Sequence, residues 1–591
     1  MAQVAATRTK QVTAERIHPS FNNMAADESA DVIVLYKDEK TSGPSRMGAQ
    51  LASRHGVNLH THFEHAGSSA GRLTRAEMER MAADPDVAFI APNNPVHAFA
   101  LDKGPESVGA YAAQSVGFDG KGIGVAVIDS GVTYSNCDWV SQISQCGGGG
   151  GGYNRYAAQA GFVGSTLTPG YAAPNDGEDA YGHGSHVASI IGGIGVFSSS
   201  YVNSWNVYPT YSIRGVAPGV NLISLRVLDK NGNGTDAQVI AAINYAIAQK
   251  SNNNIRVINL SLGRPVTTSY KNDPLCQAVE NAWKAGIVVV VAAGNYGRNN
   301  SAGNQGYGTI TAPGNDPYVI TVGAINTFGT TDITKHKVTS YSSKGPTAID
   351  HVAKPDLVAP GNNIYATQCR DCTLAATYAN NLVGDKDYAT SSSTFLNVDY
   401  LRLSGTSMAA PMVSGAVALL LQQHPLLTPD QVKARLMKTA SKTNFVKSYT
   451  AVDAATGATY LITHDLFTIG AGELNITAAL ASTDTASSSL SAMSPTVVHS
   501  NIGASPLGAT SVIWGTSVIW GSSVIWGSSV IWGSSVLSGN SVIWGSSVIW
   551  GSSTSLAGSS VIWGTGGVIA STGSVLATES SSAVLNGDTQ Q

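Results

Sequence analysis

Ser407 lies in the segment Gly405-Thr-Ser-Met-Ala-Ala-Pro411, and the apolar run Met412 to Leu421 follows it. Those residue types at that spacing describe a nucleophile on the first turn of a buried helix. The first backbone N–H groups of a helix have no intrahelical partner and stand at the positive end of its dipole, so negative charge is stabilised there. A serine so placed can attack a carbonyl while neighbouring N–H groups receive the oxyanion that develops. Pro411 is expected in the first turn of that helix, where the N–H it lacks would be unpaired anyway. Alone, the segment reads more simply as a small-residue helix start capped by serine.

Other segments change that reading. The run before Asp129, Gly122-Ile-Gly-Val-Ala-Val-Ile128, is a buried parallel strand by its continuous apolar, β-branched character, and Asp129 stands at its C-terminal end, the edge where open α/β sheets place their chemistry. Tyr181-Gly-His183-Gly-Ser-His186 sets His183 between glycines at the mouth of a short apolar helix, in the position of a base. Ile287 to Ala293 is a strand that empties into Gly294 and Asn295, whose side-chain amide can donate to an oxyanion. His186 reads as a helix histidine satisfied by its surroundings rather than a second base. The histidines between His55 and His65 lack zinc-site spacing, and no zinc is assigned.

The blocks Ile128-Asp129-Ser-Gly, Gly182-His183-Gly-Ser-His, Ala293-Gly294-Asn295 and Gly405-Thr-Ser407-Met-Ala-Ala-Pro resemble the signature blocks of subtilisin-type serine proteases, in the subtilisin order Asp, His, Ser. Gly215-Val-Ala-Pro-Gly, Ala312-Pro-Gly-Asn, Tyr341-Ser-Ser-Lys-Gly-Pro and Lys354-Pro-Asp-Leu-Val-Ala-Pro-Gly join them, and the similarity runs over roughly residues 100 to 480. The resemblance implies that Asp129 orients His183, that His183 takes the proton of Ser407, and that Asn295 with the Ser407 N–H forms an oxyanion hole. It implies two segments, Gly232-Asn233-Gly234 and Ser261-Leu262-Gly263, that sandwich an extended polypeptide substrate as a central strand. Thr311 matches the floor of the first specificity pocket and implies a modest space for medium apolar residues. No cofactor is implied for catalysis. Structural calcium is, but its ligands are not placed, because the segment after the His183 helix departs from the family pattern.

Elements that must position these residues follow from periodicity. Residues 101–480 alternate apolar strands with helices, which means α/β, a parallel sheet with helices on both faces. Residues 1–29 are polar without a period and are expected to be disordered. Residues 30–100 read strand, helix, strands, helix, strand, the ferredoxin-like order, with Thr74-Arg-Ala-Glu77 as a capping box. That module resembles the propeptide of subtilisin-type enzymes, a folding assistant and inhibitor, and its tail Asn93 to Leu101 would lie in the active site like a substrate and be cut there. The insertions 137–179, 196–213, 373–399 and 442–464 are expected as surface loops.

Beyond Leu480, residues 481–510 read as a Ser/Thr-rich linker and 511–591 as a low-complexity tail in which Ser-Val-Ile-Trp-Gly-Ser recurs. Trp514, Trp520, Trp526, Trp532, Trp544 and Trp550 keep a six-residue register, which in a strand puts Val and Trp on one face and Ile on the other. Such units either stack and self-pair as a β-assembly of unknown partner or form a sticky, partly ordered tail.

A formal charge of −4 on 591 residues gives no nucleic-acid footprint, and no apolar stretch is long enough to be a transmembrane helix. The N-terminal residues lack an apolar run after their positive charge, so no secretory signal is read in the chain as it stands. The cysteines favour an oxidising compartment: Cys137 with Cys146 and Cys369 with Cys372 would each close a surface loop, leaving Cys276 free. The expectation is a secreted or cell-surface endopeptidase made as an autoprocessing zymogen. Two other functions use the same features: an esterase with the same triad, disfavoured by the missing Gly-x-Ser-x-Gly elbow, and a surface assembly protein in which the repeat dominates.

Overall fold

The structure is a computed structural model. It describes residues 16–139, 155–163, 176–198, 207–209 and 212–500, leaving out 23, 38–43, 64–66, 94, 99–103, 135, 302–303, 370, 385–388, 392–397, 443–444, 447, 454–455 and 487–490; beyond these it describes 503–507, five dipeptides of the repeat region and Asp588.

Residues 29–98 form a small sheet and its tail: β1 (Ser29–Tyr36), α1 (Pro44–His55), β2 (Leu59–Phe63), β3 (Ser68–Thr74), α2 (Arg75–Ala82), β4 (Val87–Pro92) and β5 (Pro95–Ala98). The antiparallel order β2-β3-β1-β4 is the ferredoxin-like one, and Thr74 and Glu77 form the expected capping box of α2. β1 explains its own unbroken apolar run. Val32 and Val34 face the helices of the small module, whereas Ile33, with Phe63 and Ala70, packs into the core of the large domain. A sheet covered on both faces has no polar alternation to show. The unforeseen strand here is β3, whose Ser-Ser-Ala-Gly start carries almost no strand signal.

The large domain is built on β6 (Gly124–Asp129), β7 (Tyr156–Gly161), α3 (His183–Gly192), β8 (Asn221–Arg226), β9 (Asn233–Thr235), α4 (Asp236–Ala248), β10 (Ile255–Leu260), β11 (Leu262–Gly263), α5 (Pro274–Lys284), β12 (Val288–Ala292), β13 (Ile320–Asn326), β14 (Lys337–Val338), β15 (Leu357–Pro360), α6 (Thr406–Gln423) and α7 (Pro429–Thr439). The main sheet runs β14-β13-β12-β10-β6-β8-β7, with β15 also paired to β13, and all but β14 are parallel. β6 and β12 are buried at every residue, as both-face coverage by the packed pairs α3 with α6 and α4 with α5 requires.

All four insertions are more than surface loops. The first supplies the edge strand β7; Val207–Pro209 and Ala389–Ser391, from the second and third, pair with each other; and the hairpin Ser448–Val452 with Thr459–Thr463 brings Ala451 and Ile462 onto Ile325, Val338 and Val358. Part of the expected linker is docked as well. The Ser494 amide donates to the Pro317 carbonyl at 2.8 Å and its hydroxyl to Asp356 at 2.5 Å, while Thr496 bridges Val352. In the repeat region, units one register step apart pair antiparallel at Ile525 with Ile531 and Ile543 with Ile549, and Trp526 pairs Trp544 in parallel. Among the described residues no helix is long and apolar enough to cross a membrane.

Candidate active site

The site collects at the C-terminal ends of three neighbouring strands. Register pairs Leu260 of β10 with Ile128 of β6 and with Val291 of β12, so Asp129, Ser261 and Ala292 end side by side. Each then hands over one functional group.

From β6, Asp129 Oδ1 accepts from His183 Nδ1 at 2.8 Å and from the Ser130 amide at 2.7 Å. Both side chains of the pair are at most 1% exposed, so the contact is shielded from solvent screening. His183 is held by residues that sequence reasoning did not single out. Asp179 accepts from the Tyr181, Gly182 and Ser185 amides at 2.7–3.0 Å and from the Ser130 hydroxyl at 2.8 Å, and Ser130 Oγ accepts from the Gly184 amide. One carboxylate therefore satisfies the orphan amides at the start of α3 and fixes the angle of the histidine. The burial of Asp179 raises its pKa against the pull of those hydrogen bonds. Their available signal was an acidic residue just ahead of the glycine-flanked histidine, and a serine directly after Asp129.

From β10, the Ser261 carbonyl accepts the Ser407 hydroxyl at 3.0 Å, and the Ser261 hydroxyl donates back to the Ser407 carbonyl. Ser407 is on the first turn of α6, every residue of which from Thr406 to Leu421 is buried. From β12, Asn295 turns its Oδ1 to the Thr406 amide and hydroxyl at 2.9 and 3.0 Å, while Thr406 Oγ accepts from the Gly294 amide. That orientation leaves the Asn295 Nδ2, buried, without a partner among the described residues. A buried unmade donor is costly and calls for a ligand that accepts. The α3–α6 packing brings the His183 and Ser407 helices into direct contact.

His186 is fully buried and its Nε2 stands 2.9 Å from the Leu401 carbonyl, but its Nδ1 has no partner among the described residues; burial, with His183 nearby, lowers its pKa to about 3, so it is neutral.

Of the expected substrate segments, Asn233 and Gly234 belong to β9 and Leu262 with Gly263 to β11, with Gly232 and Ser261 directly before them. Strand β5 of the small module lies between the two, antiparallel to both: His97 pairs Asn233 and Gly263, Val96 pairs Gly234, and Ala98 pairs Leu262. Asn93, just before β5, accepts the Ala237 amide of α4 at 2.7 Å. β11 is itself anchored by Arg264, buried with its guanidinium forked between Asp236 and Asp273 at 2.8–3.0 Å. Thr311 is 1% exposed and wedged behind two glycines: a Cβ on Gly263 or Gly294 would come within 2.7 or 2.6 Å of it.

Among the described residues, the surroundings of the segment after α3 do not fit a calcium ion. Asp138 already receives four donors, the Gly195 and Val196 amides at 2.8 and 3.2 Å and the Ser189 and Thr367 hydroxyls at 3.1 and 2.6 Å. Beside it the Arg155 guanidinium donates to the Asp138, Gly192 and Val220 carbonyls at 2.8–3.1 Å. A side-chain cation stands where carbonyls converge, and no cluster of acidic, His or Cys residues among the described residues could hold a metal. Cys369 and Cys372 are paired as a disulfide beside the Asp179 carbonyl, and Cys276 is buried and free. Cys137 is disulfide-bonded too; Cys146 lies outside the described residues.

The region that carries these residues resembles known proteins. The pattern defining the Subtilase family matches residues 120–470. Serine protease AprX of Bacillus subtilis is 35% identical over 328 residues, 55% of this chain and 62% of that protein; the chain thus spans less than two thirds of the length of this relative. Subtilisin E of the same organism is 30% identical over 431 residues, 71% of this chain and 90% of that protein, and the thermostable alkaline protease of Halalkalibacterium halodurans is 29% identical over 418 residues, 71% and 88%.

Proposed function

Because the chain belongs to the subtilase family and is a serine endopeptidase, we propose that Asp129, His183 and Ser407 are its triad, Asn295 its oxyanion donor, and residues 30–100 an inhibitory propeptide removed by the enzyme itself. The observation that carries this is the placement of β5: a strand of the chain's own small module fills the groove between β9 and β11, beside Ser407.

The chemistry follows from the groups. His183, its Nδ1–H held by Asp129, takes the Ser407 proton on Nε2 as Oγ attacks the peptide carbonyl. The oxyanion meets Asn295 Nδ2 and the Ser407 amide, a helix-start N–H with no intrahelical acceptor. Collapse breaks the C–N bond, His183 gives its proton to the departing amine, and water repeats the sequence on the acyl-enzyme. Backbone pairing with β9 and β11 binds any extended peptide, while Thr311, behind Gly263 and Gly294, serves as the floor of a first pocket that takes uncharged apolar residues before the cut.

The proposed processing bond follows from the register of β5. With Ala98 opposite Leu262, continuing the antiparallel register by one step would oppose Phe99, which lies outside the described residues, to Ser261, whose carbonyl holds the Ser407 hydroxyl. The cut then falls after Phe99, within the stretch from His97 to Lys103. Secretion fits the subtilisins as a group and the disulfides. The test is to incubate purified chain, read the new N-terminus by mass spectrometry, and assay casein before and after. A start at Ala100 and rising activity are expected; a start upstream of Asp84, or preferred cleavage after Lys or Arg, overturns the proposal.

A further inference from the structure

Asp588 is only 3% exposed, although it follows the low-complexity repeat. Its carboxylate accepts from Arg298 Nη2 at 2.9 Å, the Ser340 hydroxyl at 2.5 Å and the Ser340 amide at 2.7 Å. Its backbone is read as well: the amide donates to Asn362 Oδ1 at 2.7 Å, the carbonyl accepts from Asn362 Nδ2 at 3.0 Å, and an antiparallel bridge joins it to Asp453. Burying a carboxylate costs several kcal/mol unless it is paired and hydrogen-bonded, and here each oxygen is answered.

The receiving side is built. Arg298 is itself 8% exposed, also paired to Asp453, and its guanidinium lies 5.8 and 5.2 Å from the ring centres of Tyr341 and Tyr460. A planar cation stacked on aromatic faces holds its donors in a fixed fork. Asn362, fully buried, offers the paired donor and acceptor that only an extended backbone matches. The socket is continuous with the active-site loops, since Gly297 bonds Tyr341, and both the Tyr341 hydroxyl and the Gly405 amide donate to the Gly361 carbonyl.

We propose that Arg298, Ser340 and Asn362 form a receptor for an aspartate within an extended segment, and that its resident ligand is the segment of this chain around Asp588. Since Ser494 and Thr496 are docked on Asp356 and Val352, the catalytic domain then holds the chain on both sides of the repeats, at residues 494–496 and at Asp588. A free peptide of the same chemistry competes for the socket.

Hydrogen exchange on the full chain, carrying Ser407→Ala to stop self-digestion, tests this. Asp588→Asn should speed exchange at the Ser340 amide at least tenfold and leave β6 unchanged. A synthetic peptide of residues 583–591 should restore protection, and the same peptide carrying Asp588→Asn should not. Unchanged exchange at Ser340, loss of protection that spreads to β6, or equal rescue by both peptides overturns the proposal.

Discussion

Asp129 and Asp138 lie in the same stretch of chain, both buried, and differ in what is left over. Asp138 spends both oxygens on four donors and ties the exit of α3 to its neighbours. Asp129 uses one oxygen, on His183 and Ser130, and its Oδ2 has no partner among the described residues. Asn295 and Asn259 repeat the contrast: Asn259 donates to Ser261 and accepts from Ser414, whereas the Asn295 amide nitrogen stands open. Native interiors mostly satisfy their polar groups, so the unspent capacity of Asp129 and Asn295 beside Ser407 is what the proposed reaction would use.

That contrast can be broken by substitution. Ser407→Ala should reduce casein hydrolysis to background and leave the chain unprocessed; retained cleavage would refute the assignment of the nucleophile. Asp129→Asn should lower turnover on the order of 10⁴-fold with little change in melting temperature, because it removes a tautomer-fixing acceptor rather than a structural one. Asn295→Ala should cost on the order of 10²–10³-fold in turnover, with substrate affinity nearly unchanged. An effect on affinity alone would take Asn295 out of the oxyanion role. Asp138→Ala should do the reverse of Asp129→Asn, destabilising by several times the roughly 1–3 kcal/mol of one orphaned buried group while the remaining folded molecules keep their turnover. If the Asp138 variant loses turnover at full stability, the division between the two aspartates fails.

The smallest expected effect sharpens the same idea with pH. His464 is buried, its Nδ1 facing the Val446 carbonyl and its Nε2 accepting the Val338 amide, and burial, with Lys337 nearby, lowers its pKa from 6.5 to about 4. A folded-state pKa below the unfolded one means stability that is present above pH 6.5 and lost as pH falls toward 4. The melting temperature should drop by a few degrees over that window, and His464→Asn should lessen the drop, to which His186 also contributes.

Much of this was legible in the sequence because the chemistry imposes local patterns. Asp129, His183, Asn295 and Ser407 each sit at the end of an apolar strand or the start of an apolar helix, and the capping box of α2 is a purely local device. What was hidden depends on partners far along the chain. β7 has the composition Tyr-Ala-Ala-Gln-Ala-Gly and becomes a strand only because β8 offers it an edge. Asp179 looks like any loop acid until the fold brings three amides to it. Docking of Ser494 and Asp588 left no signal in segments whose composition reads as linker and tail. Calcium, carried over from the resemblance, meets Arg155 and a saturated Asp138 after α3.

Strand β5 has a kinetic consequence. A ligand on the same chain acts at an effective concentration in the millimolar range, so dilute free peptides cannot displace it. If the proposed cut beyond Ala98 is made, the strand would remain as bound product, gripped also by Asn93 on α4 and by Ile33, Phe63 and Ala70 in the core. The appearance of activity is then timed by a unimolecular departure, with a lag that does not shorten as more enzyme is added until released molecules begin to digest the modules still in place.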